Sequence, residues 1–331
     1  MKKYNRDSVK ITVLDGYTLN PGDLSWAELE KFGEIKIYDR TEAALTVERS
    51  IDADILVVNK HLINESILQK LPKLKLICVS ATGFNNVDIK SASKRNIPVC
   101  NVSGYGSSSV AQQVFALILE LLNHVGKYNE SVKKGEWSNA QDFTYYLSPI
   151  IGLEGKTLGI YGFGKIGQKV ANIALSFDMK VIATHKHPER DAKPGVQFVS
   201  LENLFSESDI VTLHTPLNPD NEQFVNENLL RKMKPTAFLI NTGRGRLINE
   251  TDLKMALENK WLAGAGLDVL QNEPPPLNHP LFGVDNCIIT PHLAWANIDA
   301  RSRLLQLTAK NVEAFLQGNP INVVNEIKKS S

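Results

Sequence analysis

The run TLGIYGFGKIGQKVANIA, residues 157–174, narrows the folds open to this chain more than any other stretch. An apolar strand ends at Tyr161, Gly162, Gly164 and Gly167 follow in G-x-G-x-x-G spacing, and an amphipathic helix starts at once. A second apolar run, KVIATH, begins at Lys180. Strand, glycine loop, helix and strand in that order form one βαβ unit of a parallel sheet. Gly162 permits a tight turn, Gly164 lets a pyrophosphate come against the backbone, and Gly167 lets the helix pack on the strand, while free amides at the helix start face phosphate charge. The alternative is a glycine-rich turn that binds nothing; the strand before it and the helix behind it argue against that.

Apolar runs alternate with helix-like polar segments on both sides of this unit. KITVLD, EIKIYD, ADILVVN, LKLICVS and IPVCN predict a parallel sheet with crossover helices over residues 10–101. From Lys156 onward TLGIYGFG, KVIATH, DIVTLHT, AFLINTG, GAGLDVL and NCIITPH predict six strands of a doubly wound domain. Between the two sets, SSSVAQQVFALILELLNHV carries Val110, Val114, Leu117, Ile118, Leu121 and Val125 at helical spacing, which predicts one long helix crossing between domains. A final helix, ARSRLLQLTAKNVEAFLQG, stops at Gly318 and is expected to fold back on the first domain. With 331 residues, two domains are expected. They are a Rossmann-type doubly wound nucleotide-binding domain over 106–296 and a smaller flavodoxin-like α/β substrate domain over 1–105 with 297–331.

Composition excludes several partners. A formal charge of +1, with no sustained Lys/Arg run, offers neither nucleic acid nor an anionic membrane an attractive surface. The start, MKKYNRDSVK, is charged but leads into no apolar signal core, and no apolar stretch is long enough to span a bilayer, so a cytoplasmic protein is expected. Cys78, Cys100 and Cys287 are odd in number, far apart and beside apolar residues, which points to buried free thiols and to no metal site. The polar, aromatic stretch GKYNESVKKGEWSNAQDFTYYLSP, with Trp137, Phe143, Tyr145 and Tyr146, suits burial against a second subunit as a homodimer, or else a packed internal loop.

About 20 residues past the glycines an NAD site usually offers an acidic side chain to the ribose hydroxyls. Here His185 stands 18 residues past Gly167, followed by Lys186 and His187. Asp178 precedes the strand and Glu189 follows Pro188, so no carboxylate is expected within reach of the ribose. Such a site no longer repels a 2′-phosphate, and Lys186, Arg190 or a protonated His185 could pair with one; NAD or NADP is therefore the expected cofactor. A solvated loop that touches nothing remains the competing reading.

NTGRGRLINE, LDVLQNEPPP and ITPHLAW sit at further strand ends of the same domain, where the carboxyl edge of an open α/β sheet lines the ligand crevice. Arg244, Glu273 and His292 can therefore converge although far apart in sequence. With GFGKIG, NTGRG, GLDVLQNEPPP and TPHLAW in place, the chain resembles the D-isomer-specific 2-hydroxyacid dehydrogenases from about Asp54 to Gly318. ATGFNNVD, KGEWSNAQDF and PHLAWAN look most like the glycerate dehydrogenase branch, which interconverts hydroxypyruvate and D-glycerate. The resemblance implies a catalytic trio at Arg244, Glu273 and His292, and a substrate carboxylate held by loop amides around Thr82 and Gly83. It also implies cofactor contacts from Lys165 and Ile166 in the loop, Thr215, Pro216 and Asn221 after the fourth strand, Thr242 and Gly243, and Asp268 near the nicotinamide.

The small-molecule partner so implied is a 2-keto or 2-hydroxy acid, with glyoxylate, pyruvate or a sugar-derived keto acid as alternatives to hydroxypyruvate. Formate is disfavoured because related formate dehydrogenases carry Gln where this chain has Glu273. Phosphoglycerate is disfavoured because many relatives that use it append a regulatory domain, for which a chain ending at Ser331 leaves no room. A nucleotide-sensing corepressor is the reading from another class, and the lack of a long disordered docking tail speaks against it.

Reducing a 2-keto acid puts negative charge on the carbonyl oxygen as hydride arrives, so the site needs a proton donor and a fixed cation. His292 can give the proton, with Glu273 orienting the ring and favouring its charged form, while Arg244 can fork across carboxylate and carbonyl oxygens. His292→Gln is therefore expected to lower the turnover number by roughly 10² to 10⁴ while cofactor affinity holds. Steady-state kinetics with a cofactor titration check this, and unchanged turnover would remove His292 from the role.

Overall fold

The computed structural model describes residues 9–328; the charged opening MKKYNRDS and the terminal residue Ser331 lie outside the described residues. Two compact units divide the chain, one holding it up to Gly106 together with Ala296 onward, the other holding Ser107–Trp295. Among the described residues no helix is long and apolar enough to cross a membrane.

In the first unit five strands form one parallel sheet: β1 (Lys10–Val13), β2 (Glu34–Ile37), β3 (Ile55–Val58), β4 (Leu76–Val79) and β5 (Val99–Cys100). Their order is β2-β1-β3-β4-β5, the flavodoxin-like arrangement. Both faces are covered, so β3 and β4 are apolar on every residue rather than alternating. Leu56, Val58, Ile77 and Val79 enter the core on one face; Ile11, Val13, Ile55, Val57 and Cys78 enter the core on the other. The helix Ile298–Leu316 supplies Ala309, Val312 and Phe315 to that second face, so the C-terminal helix does return to the first unit. Cys78 and Cys100 are register neighbours on β4 and β5, both buried and free. Burial pushes the Cys100 thiol up to about 12, and the same cause holds the partly buried Cys287 at about 12.

Seven parallel strands make the second sheet: β6 (Thr157–Tyr161), β7 (Lys180–Thr184), β8 (Val196–Phe198), β9 (Ile210–Leu213), β10 (Phe238–Asn241), β11 (Gly264–Leu267) and β12 (Cys287–Ile289). The order β12-β11-β10-β9-β6-β7-β8 runs outward both ways from β6 and β9, which is the doubly wound pattern with its switch point between those two strands. Six strands are legible as apolar runs. The seventh, β8, is a three-residue edge strand with no fully buried residue, too short and too polar to stand out in GVQFVS.

The long helix stops sooner than its apolar spacing suggests. It covers Ser107–Asn123; His124 then turns left-handed at φ 51° and a second helix, Val125–Lys133, follows. The Glu120 carboxylate accepts the Gly126 amide at 3.1 Å and satisfies the break. Leu117 and Leu121 of the first helix press on Gly266 of β11, where a Cβ would come within 3.0 Å of the Leu117 Cβ. Beyond the second helix the aromatic stretch is laid over the surface: Phe143 is 88% and Tyr146 76% exposed. Trp137 Nε1 donates to the Phe143 carbonyl at 3.0 Å, and the Ser131 hydroxyl bonds the Tyr145 hydroxyl at 2.7 Å.

Candidate active site

Gly162 lies at the switch point with φ 96°, and a Cβ there would sit 2.7 Å from the His214 carbonyl carbon and 2.8 Å from the Thr215 amide. The turn after β6 therefore presses directly on the turn after β9. At Gly167 a Cβ would fall 2.3 Å from the Gly162 carbonyl oxygen, so helix Lys165–Ser176 packs against its own loop as closely as backbone allows. Gly164 differs: it caps that helix at φ −76° and nothing lies within 4 Å of where its Cβ would be. No side chain caps the helix, so its first amides point into open space, which suits a pyrophosphate. Ile166 packs on the core, whereas Lys165 is exposed.

His214, though it keeps some exposed surface, has its ring withdrawn from water beside the Thr212 hydroxyl at 2.9 Å, and burial pushes its basicity down to about 3. Asn221 is buried and braces the following loop, its Nδ2 donating to the Pro216 carbonyl at 2.8 Å and its Oδ1 accepting the Asn218 amide at 2.8 Å. Thr242, after β10, is 7% exposed, and its hydroxyl is buried with no partner. An orphaned hydroxyl at a strand end, an open glycine at an uncapped helix start and a left-handed Gly162 together fit a dinucleotide.

Position 185 holds a surprise. A carboxylate does reach it: Asp191 Oδ2 lies 2.7 Å from His185 Nε2, which overturns the expectation of none nearby. The chain doubles back through the turn after Pro188, so six residues of sequence separation become direct contact. His185 Nδ1 accepts the Phe163 amide of the glycine loop at 3.2 Å, which leaves the ring proton on Nε2, facing Asp191. The Arg190 guanidinium beside Asp191, and then His185, hold its carboxyl down to about 2. Lys186 is exposed.

The three strand ends that carry Arg244, Glu273 and His292 are neighbours, because β10, β11 and β12 pair in register with Asn241 beside Leu267 and Leu267 beside Ile289. Buried Asn241 shapes the first turn, its Oδ1 accepting the Gly243 amide at 3.0 Å and its Nδ2 donating to the Arg244 carbonyl at 2.9 Å. The Arg244 guanidinium reaches solvent, with Nη1 donating to the Gly243 carbonyl at 2.7 Å. At Gly245 a Cβ would lie 1.9 Å from the Leu270 carbonyl carbon, so the loops after β10 and β11 touch backbone to backbone. Glu273 Oε1 accepts the Leu270 amide at 3.1 Å, and its Oε2 lies 2.6 Å from His292 Nδ1.

His292 is held left-handed at φ 56°, and its amide donates to the Asp268 and Thr290 carbonyls at 2.8 and 2.9 Å. Such a conformation in a residue with a Cβ persists only where the surroundings enforce it. Asp268 enforces it: its buried carboxylate accepts the Thr290 hydroxyl at 2.5 Å, the Leu293 amide at 2.8 Å and the Ala294 amide at 2.7 Å. Burial raises its pKa while those bonds oppose the rise. The resemblance placed Asp268 near the nicotinamide, and three of its contacts hold the His292 turn. The loop with Thr82 and Gly83 belongs to the first unit, where the Thr82 hydroxyl donates to the Val102 carbonyl at 3.1 Å. Asp191 and the bracing role of Asp268 escaped the sequence because neither has a spacing signature; each depends on where a turn folds.

Residues 115–294 match the model of the D-isomer specific 2-hydroxyacid dehydrogenase NAD binding domain. The chain is 43% identical to a hydroxypyruvate reductase of Blautia hydrogenotrophica over 96% of its own length and 100% of that protein. It is 38% identical to a glycerate dehydrogenase of Methylorubrum extorquens over 95% of this chain and 98% of that one. Among solved structures, the NADPH-dependent glyoxylate/hydroxypyruvate reductase of Sinorhizobium meliloti, in complex with citrate, superposes with a TM-score of 0.82 at 26% identity, covering 96% of this chain and 97% of that one.

Because the space at Gly164 is open and its backbone suits an L residue, Gly164→Ala should leave the melting temperature unchanged. It should weaken NADH binding by ~tenfold or more by occupying the pyrophosphate approach. Fluorescence titration beside a thermal melt checks both halves; undiminished affinity would remove the phosphate from this loop.

Proposed function

The chain belongs to the D-isomer specific 2-hydroxyacid dehydrogenase family, and from that premise we propose that it reduces hydroxypyruvate to D-glycerate, taking hydride from NADH or NADPH. The observation that carries this reading is the 2.6 Å contact of His292 Nδ1 with Glu273, set at adjoining strand ends of the sheet whose switch point bears the glycine loop. The names of the relatives from B. hydrogenotrophica and M. extorquens support the substrate, and that of the S. meliloti structure supports glyoxylate, reduced to glycolate, as a second one.

A bound reduced nicotinamide supplies the hydride to the keto carbon. As charge gathers on the keto oxygen, His292 donates the proton from Nε2 while its Nδ1–H stays on Glu273, which keeps the ring oriented throughout. Arg244, its guanidinium facing solvent, forks between substrate carboxylate and carbonyl oxygen and polarises the bond. Amides around Thr82 and Gly83 are the proposed donors to the carboxylate. Running backwards, neutral His292 takes the hydroxyl proton, so one imidazole serves both directions.

At the adenosine end, Asp191 supplies the anion that position 185 lacks, yet its charge is already shared between Arg190 and His185. A 2′-phosphate there meets an exposed Arg190 and Lys186 rather than an unpaired carboxylate. With millimolar hydroxypyruvate, steady oxidation of NADH and of NADPH is expected. No turnover with any small 2-keto acid would leave a binding protein instead, and a preference for NADH above about a hundredfold in kcat/KM would end the proposed tolerance of the phosphate.

We propose further that the enzyme is a cytoplasmic homodimer. Phe143 and Tyr146, exposed on a stretch braced by its own hydrogen bonds, present more aromatic surface than a monomer ordinarily leaves in water. Light scattering should give twice the chain mass of 36.7 kDa; a particle of one chain mass would refute it.

A further inference from the structure

Glu273 rides on a loop whose two ends meet at one buried carboxylate. Glu250, the first residue of the helix Glu250–Glu258, is 8% exposed. Its Oε1 accepts the Gln271 amide at 2.7 Å and its Oε2 faces His279 Nε2 at 3.0 Å. His279 is 5% exposed, and its Nδ1 accepts the Leu281 amide at 3.3 Å, so the ring carries its proton on Nε2 and donates it to Glu250. The Gln271 side chain ties the same end down again, donating to the Ile248 carbonyl at 2.7 Å.

We infer that Glu250 and His279 are positioning residues for the reduction, holding the loop from Gln271 to His279 at both ends so that Glu273 stays within hydrogen-bond reach of His292. The inference rests on the catalytic reading of Glu273 and His292. Two acceptor oxygens on one side chain bridge Gln271 and His279, eight positions apart, each taking a donor from one end of the loop. Cutting either bond frees one end of the loop and lets Glu273 drift from the imidazole. A displacement of the order of 1 Å at a reacting group is worth about 10²-fold in rate.

Glu250→Gln and His279→Leu are the variants, assayed with hydroxypyruvate and NADH. Each is expected to lower kcat by about 10²-fold while the dissociation constant for NADH, read by fluorescence, moves by less than about twofold. His279→Gln, which keeps an N–H donor near Nε2, should retain most of the rate. Combining Glu250→Gln with Glu273→Gln should be no slower than Glu273→Gln alone, because the first acts only through the second. Where Glu250→Gln does not fold, His279→Leu and His279→Gln carry the comparison from the other end of the loop. A kcat within about threefold of the parent for the folded variants, multiplicative losses in the combined variant, or weaker NADH binding in parallel with kcat would each overturn the inference. Should Glu273→Gln itself leave kcat untouched, the catalytic reading falls and this one with it. A slow Glu273→Gln beside fast anchor variants defeats only the inference.

Discussion

Parallel pairing of β10, β11 and β12 in register is the constraint on which the rest of the second unit depends. Parallel strands end on the same edge, so three loops that leave them start within one or two strand spacings of each other, roughly 5 Å apiece. The chain then removes the remaining freedom. At Gly245 it deletes a side chain so that two loop backbones can touch, and at Asp268 it buries a carboxylate under three donors from the third loop. Hydrogen bonds to a charged acceptor are each worth about 1.5–3 kcal/mol. Three of them are enough to hold His292 in a left-handed conformation that a residue with a Cβ otherwise avoids.

That expenditure places one imidazole against one carboxylate. A carboxylate on a loose loop would satisfy the same sequence pattern without delivering the same chemistry. Glu273 is close to His292 because the Leu270 amide fixes one of its oxygens and leaves the other to the ring. The lesson is general for open α/β sheets: strand order brings loops together, and buried polar groups inside the loops set the last ångström.

The nucleotide end of the sheet shows the same logic with an exchanged part. Where a β7 carboxylate would ordinarily meet the ribose, His185 is fixed by a glycine-loop amide on one side and by Asp191 on the other. The anion has moved six residues along the chain, into the following turn, and Arg190 accompanies it. Negative charge is thus present beside His185 but shared with Arg190, which is a different electrostatic arrangement from a bare Asp on the strand.

Periodicity made the architecture legible. Apolar runs marked eleven of the twelve strands of the described residues and lost only β8, whose Val196 and Phe198 are half-buried on either side of an exposed Gln197. Spacing also marked the glycine loop, and motifs at strand ends marked Arg244, Glu273 and His292, since those signals are local and survive without coordinates. What stayed hidden was non-local: the break at His124, the reach of Asp191 to His185, the three bonds of Asp268 and the clasp of Glu250 on His279. By itself the sequence determined the two parallel α/β sheets, the glycine loop and the residue types offered for chemistry, because hydrophobic period and backbone preference act over a few residues. Only the tertiary structure decided that Asp191 meets His185 and that Glu250 meets His279, because such meetings depend on turns whose paths are set by packing between segments far apart along the chain.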